Sequence, residues 1–196
     1  MKFKIHILFF LLTLSSCKYS HDYKSLEKKL NTYLKSSEGE FAIVFKNLSD
    51  GKTILINENE EFHAASTMKT PVMIEVFRYV HEGAISLDDS ILVKNEFKSI
   101  ADGSSFSLSS FGDSDMKIYE EIGSFLSLRE LVIDMITLSS NFATNLVIDY
   151  IGSENINSTM RGLGANKINV LRGVEDIKAF NQGLNNTTTG LDLLYI

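Results

Sequence analysis

The chain contains a single proline, Pro71, which lies within the mostly apolar run 67–81. Proline has no backbone N–H and is tolerated in a helix only in the first turn, where that donor has no intrahelical acceptor anyway. A helix over 67–81, closed by Gly83, must therefore begin close to Thr67. This requirement places Ser66 at the mouth of an apolar helix, with free backbone amides beside it.

Local patterns elsewhere predict one β-hairpin and several further helices. Residues 40–47 and 53–57 are rich in β-branched and aromatic side chains and flank a Ser-Asp-Gly-Lys turn, as in a hairpin. Residues 95–116 and 165–186 have no clean periodicity, so we predict two long surface loops. Apolar spacing predicts a helix over 25–37 and another over 153–164. A capping box at Ser127 begins a helix that runs to Leu138, and a further helix follows and ends at Ile151, before Gly152. A last helix begins at Gly190, after an N-cap at 187–189.

The first seventeen residues predict export. Two lysines precede an apolar stretch, 7–14, that is too short to span a bilayer as a helix. The stretch ends in Leu-Ser-Ser-Cys, which resembles a bacterial lipobox, and Cys17 is the only cysteine of the chain. We predict a lipoprotein signal peptide over 1–16, lipidation of Cys17 and a tether over 17–24. The mature protein would then be anchored to a bacterial membrane, facing the periplasm or the cell exterior. An ordinary signal peptide with a chance cysteine is the alternative.

Composition excludes several classes of function. The chain carries a net charge of −6, and removal of the leader with its two lysines would leave −8, which argues against nucleic acid as a partner. The four histidines have no metal-ligand spacing, and neither a P-loop nor a GxGxxG pattern occurs. We expect a monomer that needs no metal or cofactor, with one domain over 25–196.

Ser66 and Lys69 form the candidate catalytic pair. Residues three apart lie on one helix face, so the Lys69 amine can approach the Ser66 hydroxyl. A serine needs an adjacent base to become a nucleophile, and an amine desolvated at the positive end of a helix can be that base. The amides at the helix start supply half of an oxyanion hole. The alternative is a serine N-cap followed by a solvated lysine.

The S-x-x-K pattern has little specificity by itself. Four of its five occurrences lie in the leader, a solvated helix, a hairpin turn and a polar loop, so only Ser66 begins a buried apolar helix. The five matches are Ser15/Lys18, Ser25/Lys28, Ser49/Lys52, Ser66/Lys69 and Ser114/Lys117.

A second candidate segment, Ser139-Ser140-Asn141, falls at a junction between two predicted helices. Ser139 could relay a proton to a leaving group, and the Asn141 amide could bind a substrate carbonyl or hold Lys69. A helix end followed by a new N-cap is the alternative.

These segments together resemble the class A serine β-lactamase family, whose signature combines S-x-x-K, S-D-N and K-T-G. The resemblance covers most of the mature chain, because four further segments also occur in the family's order: 62–65, 83–89, 127–131 and 187–189. It implies an α+β fold in which an antiparallel sheet packs against a helical subdomain. It also implies roles for four residues: an acylated nucleophile at Ser66, its general base at Lys69, a proton relay at Ser139 and a substrate-binding amide at Asn141.

The resemblance implies a further catalytic residue in the second loop. There the family carries a glutamate that activates water for deacylation, and Glu175 is its best match, with Arg172 as the cation that holds the loop. Asp176 is the competing acid, and a pair of solvated loop acids is the alternative. The loop after Glu175 departs from the family's spacing, and Asn181 is the nearest substitute for the usual asparagine. The efficiency of deacylation therefore stays open.

Two further departures concern the family's motifs. Ser140 stands where the family usually has aspartate, so a structural hydrogen bond must be remade there. The K-T/S-G strand, which would bind the substrate carboxylate and give a second oxyanion donor, is absent, because the sequence stops at Ile196 inside an apolar helix. We expect the sequence to be a fragment that lacks the final strands.

The predicted function is hydrolysis of the β-lactam amide through an acyl-enzyme on Ser66, followed by attack of water activated by Glu175. One alternative is a penicillin-binding peptidase acting on cell-wall D-Ala-D-Ala with the same Ser66 and Lys69. The other is a non-catalytic, truncated lipoprotein.

Overall fold

The computed structural model describes residues 22–196, so the predicted leader and Cys17 lie outside the described residues. The chain divides into two compact units, Met1–Glu38 and Gly39–Ile196. Where it is described, the first unit holds helix α1 (Tyr23–Lys35). This helix begins two residues earlier than predicted because the Asp22 side chain caps it, accepting a hydrogen bond from the Ser25 amide.

Four antiparallel strand pairs occur in the second unit. Strands β1 (Ile43–Lys46) and β2 (Thr53–Ile56) form the predicted hairpin. The remaining pairs join strands that are well separated along the chain or very short: β3 (Glu61–His63) with β8 (Thr187–Thr189), β4 (Ser90–Leu92) with β7 (Phe125–Ser127), and β5 (Phe97–Lys98) with β6 (Ser105–Phe106).

Helices are the main regular elements of the second unit, and together with the small antiparallel strand pairs they confirm the predicted α+β class. They are α2 (Lys69–His81), α3 (Leu128–Ile133), α4 (Asn141–Ile151), α5 (Ser153–Gly162), α6 (Ile177–Asn181) and α7 (Gly190–Tyr195), with 3₁₀ turns at Ala65–Met68 and Lys117–Glu121 and a π-helical turn at Asp134–Leu138. The predicted capping box opens α3, and α4 ends at Gly152, whose φ is +79°. No described helix is long and apolar enough to cross a membrane.

The core of this unit lies where α2 packs against α4 and α5. Met68, Val72, Phe142 and Met160 are completely buried there. Eight of the eleven residues of α4 are buried, as expected for a helix that is covered on most sides. The start of α4, which carries Asn141, lies close to the start of α2, where Lys69 binds the Asn141 side chain.

The two predicted loops contain short regular elements, which corrects the prediction. Residues 95–116 include β5 and β6, and residues 165–186 include α6, which the Asp176 side chain caps. Residues 187–189 form strand β8 rather than only an N-cap, although the Thr189 hydroxyl does cap α7. Elements of two to five residues depend on distant partners, so local periodicity does not reveal them.

Candidate active site

Ser66 lies on the 3₁₀ turn that leads directly into α2. This turn begins at Ala65, close to the start that Pro71 predicts. Ala65 has a φ of +45°, a left-handed conformation that is costly for a residue with a Cβ. Ser66 is exposed, whereas Met68 on the same turn is completely buried. The turn is therefore anchored through Met68 and presents the Ser66 hydroxyl to solvent.

Lys69 points into the protein and is only 3% exposed. Its Nζ donates hydrogen bonds to the Ser139 carbonyl oxygen at 2.6 Å, to Ser139 Oγ at 3.0 Å and to Asn141 Oδ1 at 3.1 Å. Burial lowers the pKa of Lys69 below its usual value, and the negative charge of Asp113 opposes part of that shift. The amine consequently loses its proton at lower pH than an exposed lysine does.

Ser139 lies between the serine and the amine. Its Oγ donates a hydrogen bond to Ser66 Oγ at 3.1 Å and accepts the bond from Lys69. We expected the Lys69 amine directly beside the Ser66 hydroxyl, but within the described residues Ser139 Oγ is the atom that connects them. Ser139 occupies the predicted helix junction and has a φ of +57° at the end of the π-helical turn.

Asn141 connects this group to the loop that carries Glu175. Its Oδ1 accepts from Lys69, and its Nδ2 donates to Glu175 Oε1 at 3.2 Å. The structure thus brings all five predicted catalytic and binding residues into one continuous series of hydrogen bonds, which runs Ser66, Ser139, Lys69, Asn141, Glu175.

The Glu175 loop is clamped by side-chain amides. Asn145 Oδ1 accepts from the Val174 amide at 2.7 Å, and Asn145 Nδ2 donates to the Val174 carbonyl at 3.0 Å. Arg172 is buried, as expected for the cation that holds the loop, and donates to the carbonyls of Leu184 and Gly173. Glu175 itself has a φ of +65°, so its backbone conformation depends on these neighbours.

The competing acid, Asp176, is held away from the reactive groups. It is 2% exposed and accepts hydrogen bonds from the Ser99 hydroxyl, the Ile100 amide and the Ala179 amide. Asn181, the substitute considered for the family's loop asparagine, is exposed at the end of α6. These contacts leave Glu175 as the acid that faces Asn141.

Sequence reasoning missed two supports of the site, Asp113 and Asn186. The Asp113 carboxylate accepts hydrogen bonds from the first two amides of α4, those of Asn141 and Phe142. The Asn186 side chain bonds the start of the Glu175 loop: its Oδ1 accepts from the amides of Leu171 and Arg172, and its Nδ2 donates to the Arg172 carbonyl. Both lie in the two segments predicted as long loops, where only the density of short polar residues could have drawn attention to them.

The site uses hydroxyl, amine, amide and carboxylate groups, and among the described residues no cluster of His, Cys, Asp and Glu could hold a metal ion. The model of the "Beta-lactamase enzyme family" matches residues 25–196, which is most of the chain. The chain belongs to the β-lactamase enzyme family. The resemblance seen in the sequence is thereby confirmed.

Individual members of the β-lactamase family are distant in sequence and alike in fold. A curated β-lactamase from Proteus vulgaris is 25% identical over 146 residues, covering 72% of this chain and 43% of that protein. A β-lactamase from Sphaerobacter thermophilus is 25% identical with a TM-score of 0.66, covering 86% of this chain and 59% of that one. A mutant of PBP-A, solved as an acyl-enzyme complex with penicillin G, is 24% identical with a TM-score of 0.70, covering 88% and 60%. The chain thus spans less than two thirds of the length of these relatives.

Proposed function

We propose that this chain carries the serine acylation machinery of a class A-like β-lactamase, which opens the β-lactam amide through an acyl-enzyme on Ser66. The observation that supports this most directly is the unbroken series of hydrogen bonds from Ser66 through Ser139, Lys69 and Asn141 to Glu175. The exposed Ser66 hydroxyl lies at one end of the series, the Glu175 carboxylate lies at the other, and the buried Lys69 amine lies between them.

In the acylation step, Ser66 Oγ attacks the β-lactam carbonyl carbon. The Ser66 proton passes to Ser139 Oγ while Ser139 passes its own proton to the neutral Lys69 amine, a route that the distances of 3.1 and 3.0 Å support. The tetrahedral intermediate collapses with cleavage of the C–N bond, and Ser139 delivers a proton to the departing nitrogen. Lys69 returns to its neutral form, and an ester on Ser66 remains.

In the deacylation step, Glu175 accepts a proton from a water molecule that attacks the Ser66 ester. A cavity of about 210 Å³ adjoins Glu175, Ala65 and Val174 and has room for that water. As the ester C–O bond breaks, Glu175 returns that proton to Ser66 Oγ, which restores the Ser66 hydroxyl. The acid product leaves and loses its own proton to solvent.

Intact mass after exposure to benzylpenicillin tests both steps. We expect a covalent adduct in the chain as given, no adduct in Ser66→Ala, and a long-lived adduct in Glu175→Gln because the ester cannot be hydrolysed efficiently. Glu154→Gln, at an exposed position on α5, is the matched control and should behave as the unaltered chain. A folded chain that never gains mass would contradict the proposed function.

The penicillin-binding peptidase remains the second candidate, and the similarity to PBP-A favours it. The same experiment separates the two. A β-lactamase should lose its adduct within the time of the assay and form more than one product molecule per chain. A peptidase of this type should stay acylated, with Glu175→Gln having little further effect.

We also propose that the protein acts on the periplasmic or outer face of a bacterial membrane, anchored through lipidated Cys17. The lipobox-like ending of the leader supports this placement. Metabolic labelling with a fatty acid should mark the chain, and Cys17→Ala should remove both the label and the chain from the membrane fraction.

A further inference from the structure

The first turn of α4 has an unusual source of hydrogen-bond acceptors. The leading amides of a helix have no acceptor within it and need partners from outside. Here the Ser140 hydroxyl accepts from Ala143, and the Ser140 carbonyl accepts from Thr144. The two amides that remain, those of Asn141 and Phe142, are not bonded by any residue of the helix or its cap.

Asp113 supplies the missing acceptors. One carboxylate oxygen accepts from the Asn141 amide at 3.1 Å, and the other accepts from the Phe142 amide at 2.9 Å. The same carboxylate also accepts from the Tyr119 hydroxyl at 3.1 Å and the Asp115 amide at 3.2 Å. With four donors and 7% exposure, Asp113 is a buried, fully bonded anion at the positive end of α4.

This end of α4 carries the groups that hold the amine. Asn141, whose amide binds Asp113, uses its side chain to bind both Lys69 and Glu175. Ser139, two residues earlier, binds Lys69 through its carbonyl and its hydroxyl. A displacement of this turn would therefore move the three atoms that accept from the Lys69 amine: the Ser139 carbonyl oxygen, Ser139 Oγ and Asn141 Oδ1.

We propose that Asp113 is a positioning residue for acylation: it fixes the first turn of α4 so that Ser139 and Asn141 hold the Lys69 amine in reach of the proton from Ser66. This inference rests on the proposed function. The Ser140 hydroxyl caps the Ala143 amide, and Asp113 accepts from the two amides that Ser140 does not bond. It does so from a segment that lies outside both catalytic motifs.

The test compares two buried aspartates that both bind backbone amides. Asp113→Asn keeps the size of the side chain but replaces one acceptor oxygen with a donor, so one α4 amide loses its partner. Asp192→Asn is the control, because Asp192 is 4% exposed and accepts from the amides of Lys167 and Ile168, away from the site. Both changes should lower the melting temperature, so stability alone does not distinguish them.

The rate of labelling by a fluorescent penicillin, expressed per folded molecule, distinguishes them. We expect Asp113→Asn to slow labelling about 100-fold, as misplacement of catalytic groups by about 1 Å does, and Asp192→Asn to leave it within about twofold. If Asp113→Asn does not fold, Asp113→Glu retains the charge but shifts the carboxylate, and we expect a loss of about tenfold. Equal rates in the Asp113 and Asp192 variants would overturn the proposal.

Amide hydrogen exchange provides a readout that does not depend on acylation. In Asp113→Asn we expect the Asn141 and Phe142 amides to exchange about 10–100-fold faster, with the middle of α4 unchanged. Unchanged exchange at these two amides would refute the anchoring role. If the unaltered chain is folded but is never labelled, the proposed function fails, and the exchange experiment still decides whether Asp113 anchors the turn.

Discussion

Replacing Gly173 with alanine should damage the Glu175 loop through a single steric overlap. A Cβ at position 173 would lie 2.3 Å from Asn145 Oδ1 and 2.7 Å from Asn145 Cγ, closer than real Cβ contacts come. The backbone of Gly173 is not in the left-handed region, so alanine brings no conformational strain of its own. The Asn145 side chain must therefore rotate away, and its two hydrogen bonds to Val174 break.

The size of the effect follows from those two bonds. A neutral hydrogen bond contributes about 0.5–1.5 kcal/mol net, so the loop loses about 1–3 kcal/mol of its preference for the closed position. At about 1.4 kcal/mol per factor of ten, this corresponds to a roughly 5- to 100-fold smaller fraction of correctly placed Glu175. Because Ser66 and Lys69 are held by α2 and by Ser139, acylation should change much less than deacylation.

Single-turnover kinetics with benzylpenicillin measure the two steps separately. We expect Gly173→Ala to form the acyl-enzyme within about threefold of the normal rate and to hydrolyse it about 5–100-fold more slowly. Asn145→Ala removes the same two bonds without the overlap, so the double variant should be no slower than the slower single variant. Gly162→Ala, in open space on α5, is the matched glycine control. Normal hydrolysis in Gly173→Ala would refute this account of the loop.

Three further predictions concern the protonation of Lys69, an ion pair in which only the carboxylate is buried, and a hydrogen bond to the residue that follows Glu175. Since burial lowers the pKa of Lys69, penicillin labelling should rise with pH and level off below pH 10.5. For the same reason the free energy of unfolding should increase as pH rises from the folded-state pKa towards the unfolded-state pKa. Labelling that still rises steeply beyond pH 10.5 would contradict this. Arg78→Ala removes both hydrogen bonds to the fully buried Glu75 carboxylate. The free energy of unfolding measured in urea should therefore fall by about 3 kcal/mol, with little change in penicillin labelling. A decrease under about 1 kcal/mol would argue against a buried charge at Glu75. Ser99→Ala removes one hydrogen bond to Asp176 and should slow deacylation about threefold to tenfold in the same single-turnover assay. Faster deacylation would contradict this, because it would show that the hydrogen bond holds the loop away from its active position.

The parts of the fold that sequence predicts are those with a local cause. Pro71 fixes the start of its helix within two residues, Ser127 forms its capping box, and Gly152 ends α4. Each of these effects is complete within about one helical turn, so neighbouring residues are enough to reveal it. The same holds for the β1–β2 hairpin, whose two strands are joined by a short turn.

The features that were missed arise from contacts between distant segments. Strand β3 pairs with β8, so that Glu61 faces Thr189, a residue more than a hundred positions further along the chain. Asp113 lies in a polar stretch that has no periodicity, and its function depends on amides of a helix that begins 28 residues later. No local pattern distinguishes such an aspartate from one that is solvated, which is why the resemblance pointed to the candidate catalytic residues and to Arg172 but not to Asp113.

The segment 95–121 supports the two halves of the site at different points. Through Asp113 it holds the first turn of α4, where Ser139 and Asn141 bind the Lys69 amine. Through Ser99 and Ile100 it holds Asp176, the residue that follows Glu175. In the proposed mechanism, the first contact concerns proton removal from Ser66, and the second concerns the glutamate that activates water. Changes at the first should therefore reduce acylation more than deacylation, and changes at the second should do the reverse. A uniform loss of both rates from either end would show instead that the segment moves as one rigid piece.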